Sequence, residues 1–348
     1  MSAPKCLQLC HSLCNQAEWT ARTLSKAYRL KMAYNEETIT ENVLLALADR
    51  HFGSDLVIRA YTKPEEGTGT SATGNLPTGA DWSFWFADGN NRGIELRIQA
   101  KRLFDTGKYE SLNGNGTQIQ KLHNNKGNAI PLYVFYNNSD FYNYPNFRKN
   151  LNLYLKKKSL VNWRYPLPFP FSDLWGCTYA PLTSIPKKNK PTYFDIPVML
   201  PWHTLVCDCF SSQLSVNNPG NNNPGNNNPG NNNPENNNPK NLPQRIAASV
   251  KYAYSTDAFS EMKSIEFPQS KEQKQDLPFN TWDEELNFNA DGEAPAWVEL
   301  LEKNTKETST DGTEDGAEDP STPVLDNYLK DNDLRGVVFI RERPTPED

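Results

Sequence analysis

The sequence predicts an α/β protein with a mixed central sheet flanked by helices. Residues 82–86 and 94–103 are interpreted as paired strands, and apolar and polar side chains alternate from residue 94 to residue 101. Residues 130–136 are almost all apolar, as in a strand in the interior of a sheet. Helical periodicity surrounds these strands, so the sheet has helices against which it can pack.

The core elements follow in the order helix, strand, strand, strand, helix, strand. A helix before the first strand is predicted because Ile39, Val43, Leu44 and Leu47 share one face. Two further elements, a helix and a last strand, follow the low-complexity region. The predicted elements are helix 4–30, helix 35–51, strands 56–61, 82–86 and 94–103, helix 118–122, strand 130–136, helix 243–254 and strand 337–340.

The second strand of the hairpin has one apolar and one polar face. Its polar face includes Gln99 and Lys101, and Asp81 opens the neighbouring strand. A carboxylate such as Asp81 binds a hard cation through oxygen, and the amide oxygen of Gln99 can add an uncharged ligand. Lys101 can orient a water molecule and stabilise negative charge on phosphate. The polar face is expected to meet solvent.

These residues resemble the PD-(D/E)XK nuclease superfamily, in particular the Mrr-like branch in which Gln precedes X-Lys. More narrowly, Gly79-Ala80-Asp81-Trp82 with Gln99-Ala100-Lys101-Arg102 resembles an uncharacterised bacterial family with a GADW…QAKR signature. The resemblance covers roughly residues 30–140. It implies a restriction-endonuclease-like core and metal-dependent hydrolysis of phosphodiester bonds, with DNA as the expected substrate. Bacterial antiphage defence is associated with the superfamily and is not indicated by these residues themselves.

The resemblance also implies roles for individual residues. Asp81 is the expected principal ligand of Mg²⁺ or Mn²⁺, with the Gln99 side chain and the Ala100 carbonyl as further ligands, and Lys101 positions the attacking water. The first core helix often offers a glutamate, for which Glu37 is the first choice.

Other glutamates of that helix leave alternatives open. Glu36 is the second choice for the site, and Glu41 lies farther round the helix towards solvent. Glu36 and Glu37 could equally serve only to complement the dipole at the N-terminus of the helix.

Two other functions remain open at this point. Because Gln99 is neutral, the site holds a cation less tightly than an acidic residue would, which favours a catalytically weak or inactive nucleic-acid-binding module. A protein–protein adaptor, whose acidic C-terminal part mimics or shields nucleic acid, is the third alternative.

Charge is distributed unevenly along the chain. Residues 1–216 carry 24 Lys and Arg against 17 Asp and Glu, whereas residues 217–348 carry 12 against 25. The basic half suits a phosphate-backbone ligand, although an ordinary solvated basic surface explains it equally well. Its basic cluster comprises Lys156, Lys157, Lys158, Arg164, Lys187, Lys188 and Lys190.

The predicted domain organisation has three parts. Residues 1–216 form the nuclease-like α/β domain, and residues 217–241 form an insertion of Asn-Pro-Gly repeats that has no apolar groups to bury and is expected to be disordered. Residues 242–348 contain an acidic loop at 303–323, also expected to be disordered, and a final strand expected to pack on the core.

The chain contains no run of eighteen apolar residues and no signal-peptide pattern, so we expect a cytoplasmic protein without a membrane partner. A homo-oligomer remains one alternative. In the reducing cytoplasm the six cysteines are not expected to form a disulfide framework. Cys6, Cys10 and Cys14 predict a helix packing face. Cys207 and Cys209 with His203 could bind zinc, but their apolar neighbours favour a buried strand.

Overall fold

The computed structural model describes residues 5–62, 80–110, 112, 117–124, 126–138, 173–186, 190–192, 195–196, 198–207, 241–255, 286–307, 322–332 and 334–343. Residues 217–240 of the predicted insertion lie outside this set, and residue 241 caps a helix: the Asn241 side chain accepts a hydrogen bond from the N–H of Gln244 (3.1 Å). The predicted acidic loop is shorter than expected, because helices occupy residues 303–307 and 322–323 at its two ends. Residues 308–321 lie outside the described set.

The nine predicted helices and strands lie close to their predicted positions, whereas the helices at 296–307 and 322–331 and the strands at 177–181 and 200–201 were not predicted. The helices are α1 (Lys5–Arg29), α2 (Glu36–Arg50), α3 (Thr117–Asn124), α4 (Leu242–Tyr254), α5 (Ala296–Glu307) and α6 (Thr322–Asp331). The strands are β1 (Leu56–Thr62), β2 (Trp82–Ala87), β3 (Gly93–Arg102), β4 (Ile130–Tyr136), β5 (Cys177–Pro181), β6 (Leu200–Pro201) and β7 (Gly336–Glu342).

Within the described residues, seven strands form one mixed sheet in the order β1-β7-β2-β3-β4-β5-β6. This confirms the predicted class, an α/β fold with a mixed sheet and flanking helices. β2 and β3 form the predicted antiparallel hairpin, in which Asp81 precedes the Trp82–Ile98 pair. The last strand, β7, lies inside the sheet next to the edge strand β1: it runs antiparallel to β1 and parallel to β2, and so separates two strands that follow each other in the sequence.

Helices cover both faces of this sheet. On one face, α2 contacts β4 through a hydrogen bond between Thr40 Oγ1 and the Tyr136 hydroxyl (2.6 Å). On the other face, α5 and α6 contact the strands through polar side chains. These contacts are Arg341–Glu302 at 2.9 Å, Tyr61–Asp326 at 2.9 Å and Arg97–Tyr328 at 3.3 Å.

The structure contains a disulfide that was not predicted, and one prediction about the cysteines is wrong. Cys10 of α1 and Cys207 form a disulfide, with Cα atoms 5.7 Å apart. In addition, the segment before Cys207 is a 3₁₀ helix (Trp202–Leu205) and not a strand. Sequence spacing could not predict the pair, because the packing of α1 on this segment brings together residues 197 positions apart. Cys10 and Cys14 are both buried, as the predicted packing face requires.

No helix among the described residues is both long and apolar enough to cross a bilayer.

Candidate active site

The candidate site lies at the end of the sheet where β2 and β7 begin and β3 and β4 end. Asp81 immediately precedes β2. Its N–H donates to the carbonyl of Ile98 (2.8 Å), and its carbonyl accepts from the N–H of Arg335 (2.8 Å). The backbone of Asp81 is therefore fixed between β3 and β7, and its carboxylate stands at the end of the sheet.

The two oxygens of the Asp81 carboxylate have different partners. Oδ2 accepts hydrogen bonds from the backbone N–H of Ala100 (2.8 Å) and from Nε2 of Gln99, whereas Oδ1 lies 3.6 Å from Nε of Arg335. Desolvation raises the pKa of Asp81 to about 6, although the Lys101 charge, the Ala100 amide and Arg335 all lower it. The carboxylate is therefore ionised at neutral pH, which lowers the free energy of unfolding. Such a perturbed pKa is expected of a group that binds a ligand.

Gln99 lies opposite Asp81 and is buried, with 3 % of its surface exposed. Its Nε2 donates to Asp81 and lies 3.3 Å from the carbonyl oxygen of Ala100, while its Oε1 accepts from Nε2 of Gln118 on α3 (2.7 Å). The sequence predicts the opposite orientation, with the amide oxygen beside the carboxylate. Rotation of the terminal amide of Gln99 exchanges its nitrogen and its oxygen. A matching rotation of the Gln118 amide keeps the hydrogen bond between the two side chains, because each amide carries both a donor and an acceptor.

The polar face of β3 does not meet solvent, contrary to the prediction. Arg97, Gln99 and Lys101 are all buried, Lys101 with 6 % of its surface exposed. The reason is a second layer of helices: Arg97 donates to the Tyr328 hydroxyl of α6 and pairs with Glu95 (3.1 Å). The alternating pattern predicts the two faces of a strand but cannot show whether the polar face is covered.

The glutamates of α2 have separate surroundings. Glu37 pairs with Nη1 of Arg335 (2.7 Å), and its charge raises the pKa of Asp81, so it lies at the site. Glu36 lies 4.0 Å from Nε of Arg102 instead, and Glu41 is exposed. The structure therefore places the first-choice glutamate beside Asp81, whereas Glu36 faces Arg102 and Glu41 is exposed.

Two residues of the site were not singled out in the sequence. Gln118 lies on a helix that was predicted, but no local pattern connects it with Gln99. Arg335 precedes the last strand, and only the insertion of β7 beside β2 brings it to Asp81. The neighbouring Tyr133 has a buried hydroxyl without a hydrogen-bond partner among the described residues.

The donors at the site fit a hard divalent cation. The carboxylates of Glu37 and Asp81 are close enough to share one guanidinium, and the Ala100 carbonyl and the Gln99 amide lie beside Asp81. Magnesium is often held by one or two carboxylates together with water and substrate phosphates, so this sparse oxygen set suffices. A cluster of three or more His, Cys, Asp or Glu residues is not found in the described part of the chain.

The structure disfavours the alternative zinc site, because one of its three candidate ligands is in a disulfide. Cys207 is in the disulfide, and His203 is buried with a pKa lowered to about 3 by desolvation. Cys209 lies outside the described residues, as do Lys156, Lys157, Lys158, Arg164, Lys187 and Lys188 of the basic cluster. Lys190 is exposed.

Asp81→Asn is expected to stabilise the cation-free protein at neutral pH. The folded-state pKa of about 6 exceeds the ordinary value of 3.8, so the folded state binds the extra proton and stability falls as pH rises from about 4 to about 6. Above that window the ionised carboxylate opposes folding by about 1–3 kcal/mol, and asparagine removes this penalty while still accepting hydrogen bonds. Urea unfolding in EDTA at pH 4.5 and pH 7 measures the effect.

Asp291→Asn is the matched control for this experiment, because Asp291 is an exposed acid in an ion pair with Arg92. It should change stability little at either pH. A lower free energy of unfolding for Asp81→Asn than for the unmodified protein at pH 7 would contradict the desolvation of Asp81.

Comparison with known proteins gives a family but no activity. No curated protein and no solved structure matches the chain significantly. One family model matches residues 9–345, which include every residue of the candidate site, and its description is "Family of unknown function (DUF6615)". Because the match covers nearly the whole chain, the protein belongs to family DUF6615.

Proposed function

We propose that this protein is a divalent-cation-dependent nuclease that hydrolyses phosphodiester bonds, with DNA as its substrate. The observation that supports this most directly is the meeting of Glu37, Asp81, Gln99 and Lys101 at one end of the sheet. They come from α2, from the start of β2 and from β3, and this is the set that the resemblance to PD-(D/E)XK nucleases implies.

The residues present fit the chemistry of phosphodiester hydrolysis. Asp81, Glu37, the Ala100 carbonyl and the Gln99 amide would hold Mg²⁺ or Mn²⁺, which would supply positive charge to polarise the phosphate and acidify water. In hydrolysis the water oxygen forms a new bond to phosphorus, one ester P–O bond breaks, and the leaving oxygen takes up a proton. Lys101 contributes a buried ammonium group that stabilises the negative charge developing on the phosphate oxygens.

The direct test is incubation of the purified full chain with plasmid, a single-stranded DNA oligonucleotide and RNA. Each substrate is tested with Mg²⁺, with Mn²⁺ and with EDTA. We expect cleavage of DNA that requires the cation and that is lost in Asp81→Asn protein purified in the same way. Equal cleavage by the two proteins would show a contaminating nuclease and would remove the support for this proposal.

A nucleic-acid-binding module without catalysis is the second candidate. Two observations favour it: Gln99 is neutral, and Lys101 and Arg335 balance the charges of Asp81 and Glu37, so the site attracts a dication less strongly. Calorimetric titration with Mn²⁺ separates the two candidates. A nuclease binds Mn²⁺ and loses this binding in Asp81→Ala, whereas a binding module retains DNA in EDTA whether or not Asp81 is present.

A further inference from the structure

The two cationic side chains of the candidate site differ in their exposure. Lys101 is buried, whereas the Arg335 side chain has 54 % of its surface exposed. Arg335 is anchored through its backbone, which donates a hydrogen bond to the carbonyl of Asp81. Its guanidinium therefore stands on the solvent side of the carboxylates, where a long flexible side chain can change partners without disturbing the sheet.

The guanidinium of Arg335 occupies the space that the two carboxylates share. Its Nη1 lies 2.7 Å from Oε1 of Glu37, and its Nε lies 3.6 Å from Oδ1 of Asp81. The other oxygen of Asp81 is already bound by Ala100 and Gln99. A cation held jointly by Glu37 and Asp81 needs the same oxygens, so the cation and Arg335 compete for them.

Release of Arg335 provides a phosphate-binding group. Its side chain is more than half exposed, so water can solvate the guanidinium when it leaves, and the cation takes over its role of neutralising Glu37 and Asp81. A guanidinium has planar N–H donors that match the oxygens of phosphate. A phosphodiester must approach from solvent, which is the side on which Arg335 lies.

We propose that Arg335 has two successive partners at this site. In the cation-free protein it neutralises Glu37 and Asp81, and when a divalent cation binds these carboxylates it turns to the phosphodiester of the nucleic acid. This inference rests on the proposed nuclease function and assigns to that site its phosphate-binding residue.

The test compares Arg335→Gln and Arg335→Lys with Arg92→Gln. Arg92 is a matched control, because it is similarly exposed and pairs with two carboxylates, Asp291 and Glu293, away from the site. Calorimetric titration with Mn²⁺ should show binding tighter by about threefold or more in Arg335→Gln, since a competing positive charge is removed. Cleavage of a DNA oligonucleotide at saturating Mn²⁺ should fall by about 10²-fold in the same variant.

The opposite directions of these two effects distinguish the proposed role from a structural one, which would weaken both. Arg335→Lys should recover part of the cleavage, and Arg92→Gln should match the unmodified protein in both assays. Unchanged or weaker Mn²⁺ binding in Arg335→Gln, or unchanged cleavage, overturns this inference alone. If the unmodified protein neither binds Mn²⁺ nor cleaves DNA, the proposed function itself fails and this inference fails with it.

Discussion

Lys101→Met protein is expected to lose cation-dependent DNA cleavage by about 10²-fold or more while it retains its fold. Lys101 is buried beside Asp81, and its positive charge lowers the Asp81 pKa. Methionine keeps most of the aliphatic volume of lysine, whereas alanine would leave a cavity. With alanine, a lower rate caused by lost stability could not be distinguished from one caused by the missing charge. The rate of cleavage at saturating Mg²⁺, measured together with the melting temperature, separates the two effects.

The same substitution should also change the pH dependence of cation binding. Without the neighbouring ammonium group the pKa of Asp81 rises further above about 6, so the carboxylate becomes ionised only at higher pH. Binding of Mn²⁺, which requires the ionised carboxylate, should therefore begin at a higher pH than in the unmodified protein. Lys126→Met is the control, because Lys126 donates to the His123 carbonyl and takes no part in the contacts of the site. Cleavage by Lys101→Met at the unmodified rate would exclude Lys101 from the chemistry.

Gly336→Ala is expected to destabilise the fold by about 3 kcal/mol or more, or to prevent folding. Gly336 begins β7, where a Cβ atom would lie 2.6 Å from the carbonyl oxygen of Tyr61 and still closer to the ring of Trp82. Trp82 is buried, with 2 % of its surface exposed, and the Tyr61 oxygen belongs to the backbone of β1. Neither can move aside unless β1 or β2 separates from β7.

Gly53→Ala is the control for this substitution. Gly53 has φ +74° but open space where the Cβ would lie, so alanine there should cost only about 1 kcal/mol of backbone strain. Urea unfolding of both variants measures the difference, and the near-ultraviolet circular dichroism of the tryptophans reports on the packing of Trp82. Equal destabilisation by the two alanines would show that β7 is not tightly packed against Trp82. Because Arg335 precedes Gly336, a displaced strand should also weaken cleavage.

The hairpin shows how much of the site could be predicted. Two strand patterns separated by a short turn predict a hairpin, so Asp81 could be placed on the strand next to Gln99, and the structure shows that the two residues lie opposite each other. The apolar face of α2 likewise gave the helix an orientation, with Glu37 as the first choice. The distinction between Glu37 and Glu36 depends on Arg335, which the helical pattern does not contain.

Other features of the site depend on contacts between distant segments. An alternating strand predicts a polar face, but only the packing of α6 shows that this face is buried, with Arg97 against Tyr328. The orientation of the Gln99 amide depends on Gln118, which α3 brings to it. The disulfide between Cys10 and Cys207 likewise joins segments that are far apart in the chain.

The sequence by itself determined nine of the local elements, the hairpin of β2 and β3 and the candidate pair Asp81 and Lys101, because these depend on side chains only a few residues apart or on one strand pairing. Only the tertiary structure decided that β7 lies between β1 and β2, that the polar face of β3 is covered and that Arg335 faces Glu37 and Asp81. The physical reason is that these contacts depend on how separate segments pack around one core, which the periodicity of a single segment does not specify.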